Sequence, residues 1–345
     1  MNLSLHTWTW VAWLVGALIA ISLTRNPLYL GLLVICLLIV LTAIQRSQQS
    51  RRFPFPVIRF GLVIILLSAI FNALTAHYGG TILFDIPQQI PILGGIFTLE
   101  GLVYGAINGL ILFAILLAFM VLVSALPVRK LVRLIPRAFQ NVAVVTSIAV
   151  TFIPGTIRQI QEIREAQLVR GHNMKGIRDW LPMMMPLLTG GLEHALQLSE
   201  AMTARGFASS SPAGQPGWIR ALPLFGLGLV VIGWLVSLVD GMEVIGWGAL
   251  LGGICVIVYY FWRQGQRSIH TNYLHEYWHW QDALIWICML ILIGVYLFPL
   301  NFLLHDSFLY PVYPDLSIPR FDPYIGAATL LIVLPALLME SDQYD

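Results

Sequence analysis

The sequence predicts an all-α, polytopic membrane protein, and three observations support this class. Of the 345 residues, 58% are hydrophobic and 10% are charged, whereas soluble domains contain about 25% charged residues. Eight apolar stretches reach or approach the length of about 20 residues that a membrane-spanning helix needs. A long polar-rich segment separates the fourth stretch from the fifth.

The apolar stretches divide the chain into three parts. They lie at about residues 8–23, 28–44, 57–74, 102–124, 221–239, 244–262, 283–300 and 323–339. We expect transmembrane helices 1–4 in residues 1–124, a cytoplasmic or interfacial helical region in 125–218, and transmembrane helices 5–8 in 219–345. No basic residue precedes the first stretch and no convincing cleavage site follows it. We therefore interpret it as a retained helix rather than a signal peptide.

The basic residues predict how the chain is oriented in the bilayer. If the N-terminus is cytoplasmic, 17 of the 19 Lys and Arg residues lie on the cytoplasmic side, and only Arg25 and Arg320 lie outside. Basic residues concentrate on the cytoplasmic side of membrane proteins. The outer loop at 75–101 agrees, since it contains Asp85 and Glu100 but no Lys or Arg. Both termini are therefore predicted to be cytoplasmic.

Several kinds of chemistry are not expected of this chain. Its net charge of +2 is too small to indicate nucleic-acid binding. Cys36, Cys255 and Cys288 all fall in predicted spans, which argues against a disulfide framework or a metal cluster. No phosphate-binding loop motif is present, and neither of the two lysines, Lys130 and Lys175, follows a suitable glycine. We expect no cofactor, and any ATP hydrolysis coupled to this protein must occur on another chain.

The polar-rich segment is predicted to contain two amphipathic helices. We expect prolines to divide the segment into helical pieces, at Pro127, Pro136, Pro154, Pro182 and Pro186. One apolar stripe at helical spacing consists of Ile157, Ile160, Ile163 and then Leu168 or Val169. A second stripe consists of Leu188, Leu192, Ala195, Leu196, Ser199 and Met202. Such helices must pack their stripes on each other, on the membrane interface, or on a partner.

Both predicted helices end in the same seven-residue pattern. The first copy is Glu165-Ala-Gln-Leu-Val-Arg-Gly171 and the second, 35 residues later, is Glu200-Ala-Met-Thr-Ala-Arg-Gly206. An arginine in the last turn complements the negative end of the helix dipole, and the glycine that follows can adopt the left-handed conformation of a C-cap. Two ordinary helix ends would account for these two positions.

Helix capping does not account for the Glu-Ala pair at matching positions in both copies. We therefore predict that the two copies share a docking function. Arginine suits docking because its planar guanidinium binds a carboxylate through two parallel hydrogen bonds. The predicted docking residues are Arg170, Gly171, Ala204, Arg205 and Gly206, and the predicted supporting residues are Glu165 and Glu200.

These motifs resemble a known family. The matching residues are 98–102 (TLEGL), 152–154 (FIP), 163–167 (IREAQ), 186–188 (PLL) and 201–207 (AMTARGF). Over about residues 98–207 the chain resembles the transmembrane T component of energy-coupling factor (ECF) transporters, which are vitamin- and metal-importing members of the ABC class. The resemblance is weaker, though compatible in helix order, over the first three spans.

The resemblance implies a function, partners and a location. In this family each Ala-Arg-Gly signature ends a cytoplasmic coupling helix and inserts into a groove on one of two ABC-type ATPase subunits. The T component transmits their motion to a substrate-binding membrane subunit, the S subunit. The expected surroundings are the lipid bilayer of a bacterial inner membrane. Arg205 with its neighbours matches the second signature in full, whereas Val169 stands where the first signature usually has alanine. The four apolar spans after residue 218 exceed those of common members, and the resemblance implies no role for them.

A second motif predicts a different chemistry. The run His275-Glu276-Tyr277-Trp278-His279 matches H-E-x-x-H, in which two histidines on one helix face bind zinc and the glutamate is a general base. Candidate third ligands are His270, Asp282 and His305. The aromatic residues around the motif are also typical of a membrane interface. An interfacial zinc metallopeptidase is therefore the alternative, and a membrane scaffold that holds a non-ATPase partner is a third hypothesis.

Overall fold

The structure of the chain is a computed structural model. The model describes residues 5–47, 56–76, 79–86, 95–132, 134–171, 180–206, 217–239, 241–266, 277–297, 308, 310, 312 and 318–341. Almost all of this part of the chain is helical, and its strands form one short hairpin. The all-α class predicted from composition is confirmed.

The helices follow one another along the chain with one strand pair between the third and the fourth. The first group is α1 (Thr7–Leu23), α2 (Pro27–Ser47), α3 (Val57–Thr75), β1 (Ile82–Ile86), β2 (Gly95–Thr98), α4 (Leu99–Ala125) and α5 (Val128–Val132). The second group is α6 (Gln140–Val169), α7 (Leu181–Ala204), α8 (Gly217–Ser237) and α9 (Glu243–Gln266). The last group is α10 (Trp280–Leu297), α11 (Pro323–Leu330) and α12 (Leu334–Ser341). Single 3₁₀ turns lie at Arg137–Phe139 and Leu331–Val333.

All eight predicted apolar stretches coincide with helices. In the described part of the chain, six helices are long and apolar enough to cross a membrane: α2, α3, α4, α6, α9 and α10. Three shorter apolar helices lie at Thr7–Leu23, Ala221–Ser237 and Pro323–Met339. The chain is therefore a polytopic membrane protein. Helix α6 meets the length and composition criterion over Val142–Val169, although its sequence places it in the predicted cytoplasmic region. The total of eight crossings stays a prediction.

Contacts between residues divide the chain into two compact units. The first unit contains Met1–Lys130 together with Leu274–Asp345, and the second contains Leu131–Tyr273. The three-part division predicted from hydropathy follows the order of the sequence. The contacts, in contrast, place the first and last parts of the chain in one unit.

The C-terminal helices complete the core of the first unit. The indole nitrogen of Trp13 in α1 donates a 3.0 Å hydrogen bond to the carbonyl oxygen of Ile332, in the turn between α11 and α12. Both residues are fully buried. Met289 of α10 packs against Gly16 of α1, where a methyl group would lie 2.9 Å from the methionine sulfur. Helices α1 and α2 therefore depend on residues more than 250 positions away for much of their burial.

A buried carboxylate joins the starts of α1 and α10. Asp282, in the first turn of α10, has no exposed surface. Its Oδ1 accepts hydrogen bonds from the backbone nitrogen of His6 at 2.9 Å and from the hydroxyl of Thr9 at 2.8 Å. Its Oδ2 accepts from the backbone nitrogen of His279 at 3.0 Å. The three hydrogen bonds offset the cost of burying the carboxylate of Asp282.

Glycines allow close contact between α3 and α4. A methyl group at Gly105 would lie 2.6 Å from the carbonyl oxygen of Ser68, and one at Gly109 would lie 2.7 Å from the Cα of Ile65. The Ser68 hydroxyl also donates a 2.8 Å hydrogen bond to the Gly105 carbonyl. Small residues four positions apart let membrane helices approach closely, which increases their packing contacts.

The strand pair β1–β2 is attached to the start of α4. Its strands are antiparallel, with Asp85 opposite Ile96. The carboxylate of Glu100, in the first turn of α4, is almost fully buried. It accepts hydrogen bonds from the backbone nitrogen and the hydroxyl of Thr81, at 3.1 and 2.6 Å. A local polar contact thus holds the hairpin that interrupts an otherwise helical chain.

Two of the prolines that were expected to end helices lie inside them. Helix α6 continues through Pro154 and α7 continues through Pro186. The expectation that these two prolines divide the segment was wrong. Proline removes one backbone hydrogen bond and disturbs one turn, but the turns on either side keep their own hydrogen bonds. Pro182 lies in the first turn of α7, where a missing N–H costs little.

We expect Asp282→Ala to destabilise the first unit by about 2 kcal/mol, because it leaves one buried and two partly buried donors without their acceptor. The measurement is the midpoint of thermal unfolding of the purified protein in detergent. Glu243→Ala is the matched control, since Glu243 is an exposed acid in the first turn of α9. An equal midpoint for the two variants would contradict the role assigned to Asp282.

Candidate functional site

Helices α6 and α7 cross near their middles. The ring of Phe152 in α6 lies 5.3 Å from that of His194 in α7, measured between centroids. A methyl group at Gly190 would lie 2.5 Å from the side-chain nitrogen of Gln159. From Phe152 to Gln159 the contact moves forward along α6, and from His194 to Gly190 it moves back along α7. The helices therefore cross in opposed directions.

This crossing keeps the two predicted docking ends apart. Arg170 follows Gln159 by eleven residues, and Arg205 follows His194 by eleven residues. At a rise of 1.5 Å per residue, each arginine lies about 17 Å beyond its nearest crossing contact. Because the helices run in opposed directions, the two ends lie on opposite sides of the crossing.

The two helix ends have the same backbone geometry. Arg170 caps α6 with φ −79° and ψ 4°, and Arg205 caps α7 with φ −85° and ψ 6°. The glycines that follow have positive φ values of 82° at Gly171 and 81° at Gly206. The Gly171 nitrogen donates to the carbonyl of Leu168 at 3.0 Å, and the Gly206 nitrogen donates to that of Thr203 at 2.9 Å. The C-caps predicted from the Arg-Gly pairs are thus present.

The side chains at both ends are exposed. Arg170, Arg205, Ala204 and both glycines are exposed, and Val169 is 89% exposed. Neither guanidinium forms an ion pair with another residue that the structure describes. Each end therefore presents a cation next to the negative pole of a helix, which suits a carboxylate of a partner because a guanidinium carries only donors.

The glutamates of the repeated pattern are exposed as well. Glu165 and Glu200 lie one to two turns before their arginines on the helix surface. Within the described residues, neither forms a salt bridge with Arg170 or Arg205. Their supporting role stays a prediction.

The apolar stripes of α6 and α7 are only partly covered. From residue 152 onwards, the half-buried residues on α6 are Phe152, Thr156, Gln159, Ile160, Ile163 and Gln167, and those on α7 are Leu187, Gly190, Gly191, Leu198 and Met202. Ile160, Ile163 and Met202 belong to the predicted apolar stripes. Ile157 and the run Leu188, Leu192 and Leu196 are more than half exposed instead. Packing of the two helices on each other therefore accounts for one part of the apolar surface.

The zinc motif cannot be described as a site. His275 and Glu276 lie outside the described residues, as do His270 and His305. Asp282, a candidate third ligand, uses both carboxylate oxygens to accept hydrogen bonds from His6, Thr9 and His279. Within the described ranges, no three His, Cys, Asp or Glu residues form a group that could hold a metal ion.

The residues that form the crossing were not predicted from the sequence. Gln159 is polar and lies outside the predicted stripe, yet it faces α7 because Gly190 leaves room for it. The Gly190-Gly191 pair inside an otherwise helical pattern was the available signal, since paired glycines often mark close helix contacts.

Comparisons with known proteins match much of the chain. A family model described as "CbiQ: Cobalt transport protein" matches residues 4–216. Two relatives are both called energy-coupling factor transporter transmembrane protein EcfT. That of Bacillus selenitireducens is 27% identical over 206 residues, which are 55% of this chain and 74% of that protein. That of Leuconostoc gelidum subsp. gasicomitatum is 34% identical over 73 residues, which are 19% of this chain and 27% of that protein.

We expect Gly206→Ala to loosen the last turn of α7, because the positive φ costs an L-residue about 1 kcal/mol, or roughly fivefold in local opening. Hydrogen exchange at the amides of Arg205 and residue 206 measures this loss of protection. Gly191→Ala is the control within the same helix, since nothing lies within 4 Å of its added methyl group and alanine favours a helix. Slower exchange in Gly206→Ala than in the wild type would contradict the cap.

Proposed function

Because the chain belongs to the CbiQ family of cobalt transport proteins, we propose that it couples two ABC-type ATPase subunits to a substrate-binding membrane subunit. The two relatives named as transmembrane proteins of ECF transporters assign the same class, and the chain is a membrane component of such a transporter. On this proposal ATP is hydrolysed on the partner chains, and the cargo is selected by the S subunit.

One observation supports the coupling role above the others: α6 and α7 end in the same exposed Arg-Gly geometry. The backbone angles of the two caps agree within a few degrees. A pair of ATPase subunits presents two equivalent grooves. The two equivalent Arg-Gly helix ends, Arg170-Gly171 and Arg205-Gly206, match that symmetry. Because the ends lie on opposite sides of the crossing, each can engage its own subunit.

Charge supports the same proposal. Arg170 and Arg205 would each bind an acidic residue in an ATPase groove, strengthened by the exclusion of water once the groove is filled. Gly171 and Gly206 let the chain turn away from the groove, and Ala204 leaves space beside Arg205. The two helix ends differ at Val169, which occupies the position that Ala204 has at the second end. Its exposed side chain adds two methyl groups beside Arg170. The first groove must be correspondingly wider.

The crossing provides a way to transmit movement. When ATP binding draws the ATPase subunits together, Arg170 and Arg205 move towards each other and the angle between α6 and α7 changes. The exposed apolar residues of α7, Leu188, Leu192 and Leu196, then need cover from the bilayer or from the S subunit. We place the complex in a bacterial inner membrane, with both termini of the chain cytoplasmic. Residues 125–218 form the coupling region between two transmembrane parts.

We expect Arg170→Ala and Arg205→Ala each to weaken the binding of ATPase subunits by on the order of 100-fold, because a buried charged anchor is removed. Arg205→Glu should abolish binding at that end. The measurement is the amount of each ATPase subunit that co-purifies with the tagged chain. The thermal unfolding midpoint of the chain alone should not change.

Arg164→Ala is the control, since Arg164 is an exposed arginine on α6 outside the repeated pattern. It should bind ATPase subunits as the wild type does. Normal assembly in both Arg170→Ala and Arg205→Ala would count against the proposed docking, as would equal loss in the control.

A further inference from the structure

Helices α8 and α9 form a hairpin held by glycines on both sides. A methyl group at Gly253 would lie 2.7 Å from the carbonyl oxygen of Gly226, and one at Gly233 would lie 2.9 Å from that of Gly246. On each helix the two glycines are seven residues apart, so they lie on one face. Backbones this close leave no room for the helices to slide independently. The hairpin therefore moves as one body.

An aromatic contact joins this hairpin to α6. The ring of Phe139, directly before the first residue of α6, lies 4.9 Å from that of Phe261 in α9, at an interplanar angle of 38°. This is the separation and tilt of a favourable aromatic pair. Both residues belong to the second compact unit. The end of α6 opposite Arg170 is therefore packed on α9.

The crossing with α7 divides α6 into two arms of similar length. Phe139 lies about 20 Å before the first crossing contact at Phe152, and Arg170 lies about 17 Å after the last one at Gln159. Pro154 lies between the two crossing contacts, and α6 continues through it as one helix. The arms outside the crossing are uninterrupted helix. A rotation of α6 as one rod about the crossing would move Arg170 and Phe139 by similar distances in opposite directions.

We propose that α6 is a two-armed lever that carries movement from the Arg170 end through the Phe139–Phe261 contact into the α8–α9 hairpin. This inference rests on the proposed docking of Arg170 to an ATPase subunit. It assigns a function to two helices that begin after the last residue matched by the family model. Phe261 and Gly253 are positioning residues in this scheme, since they act through neighbouring helices.

The test follows a fluorescent label on the hairpin. Cys36, Cys255 and Cys288 are replaced by alanine, and Leu235→Cys, on an exposed part of α8, is labelled with bimane. The labelled full-length chain is placed in membrane discs with its ATPase subunits. Bimane fluorescence is compared without nucleotide and with a non-hydrolysable ATP analogue, and ATPase binding is measured in the same samples.

We expect a nucleotide-dependent change in the wild type that is largely lost in Phe261→Ala, because the ring contact that joins α6 to α9 is removed. Gly253→Ala should reduce it as well, because α8 then separates from α9. Phe261→Tyr should retain the change, as should the matched controls Trp262→Ala, an exposed ring one residue away, and Gly252→Ala, where a methyl group meets nothing within 4 Å.

An undiminished change in Phe261→Ala overturns the lever, as does the absence of any change in a wild-type complex that binds its ATPase subunits. Failure of the wild type to bind them contradicts the proposed function instead. If Phe261→Ala does not fold, Phe139→Ala removes the same ring contact from the α6 side. Phe139→Ala should reduce the fluorescence change as well, and an undiminished change in this variant also overturns the lever.

Discussion

The contact between α6 and α7 determines where both arginine ends point. Gly190 leaves room there for the side chain of Gln159. The contact falls in the middle of both helices, so each C-terminus projects well beyond it. Arg170 and Arg205 are both exposed at these ends. A change in the crossing angle therefore redirects both ends together, which is the property a coupling element needs.

Features set by neighbouring residues could be predicted from the sequence. The apolar stretches predicted helices because a bilayer-spanning segment must satisfy its backbone hydrogen bonds internally. The Arg-Gly pairs predicted both C-caps, since few residues other than glycine adopt a positive φ without strain. The resemblance to ECF T components, carried by short motifs in 98–207, is confirmed by the family model over 4–216.

Features set by distant residues could not be predicted in this way. Nothing near Asp282 indicates that its partners are His6 and Thr9, more than 270 positions earlier. The face of α6 that meets α7 was also predicted incompletely, because the opening at Gly190 admits Gln159 in place of an apolar side chain. The continuity of α6 through Pro154 depends on hydrogen bonds in the flanking turns, which single-residue preferences do not describe.

The hydrogen bond from Trp13 to Ile332 has a consequence for biosynthesis. The ribosome completes α1 long before it reaches the residues that cover that helix. At roughly 5–20 residues per second, the delay is on the order of tens of seconds. During this time α1 and α2 must remain in lipid, or beside an insertion factor, with their future interior surfaces unoccupied. Nascent chains that stall before α10 is made should therefore be early substrates of membrane quality control.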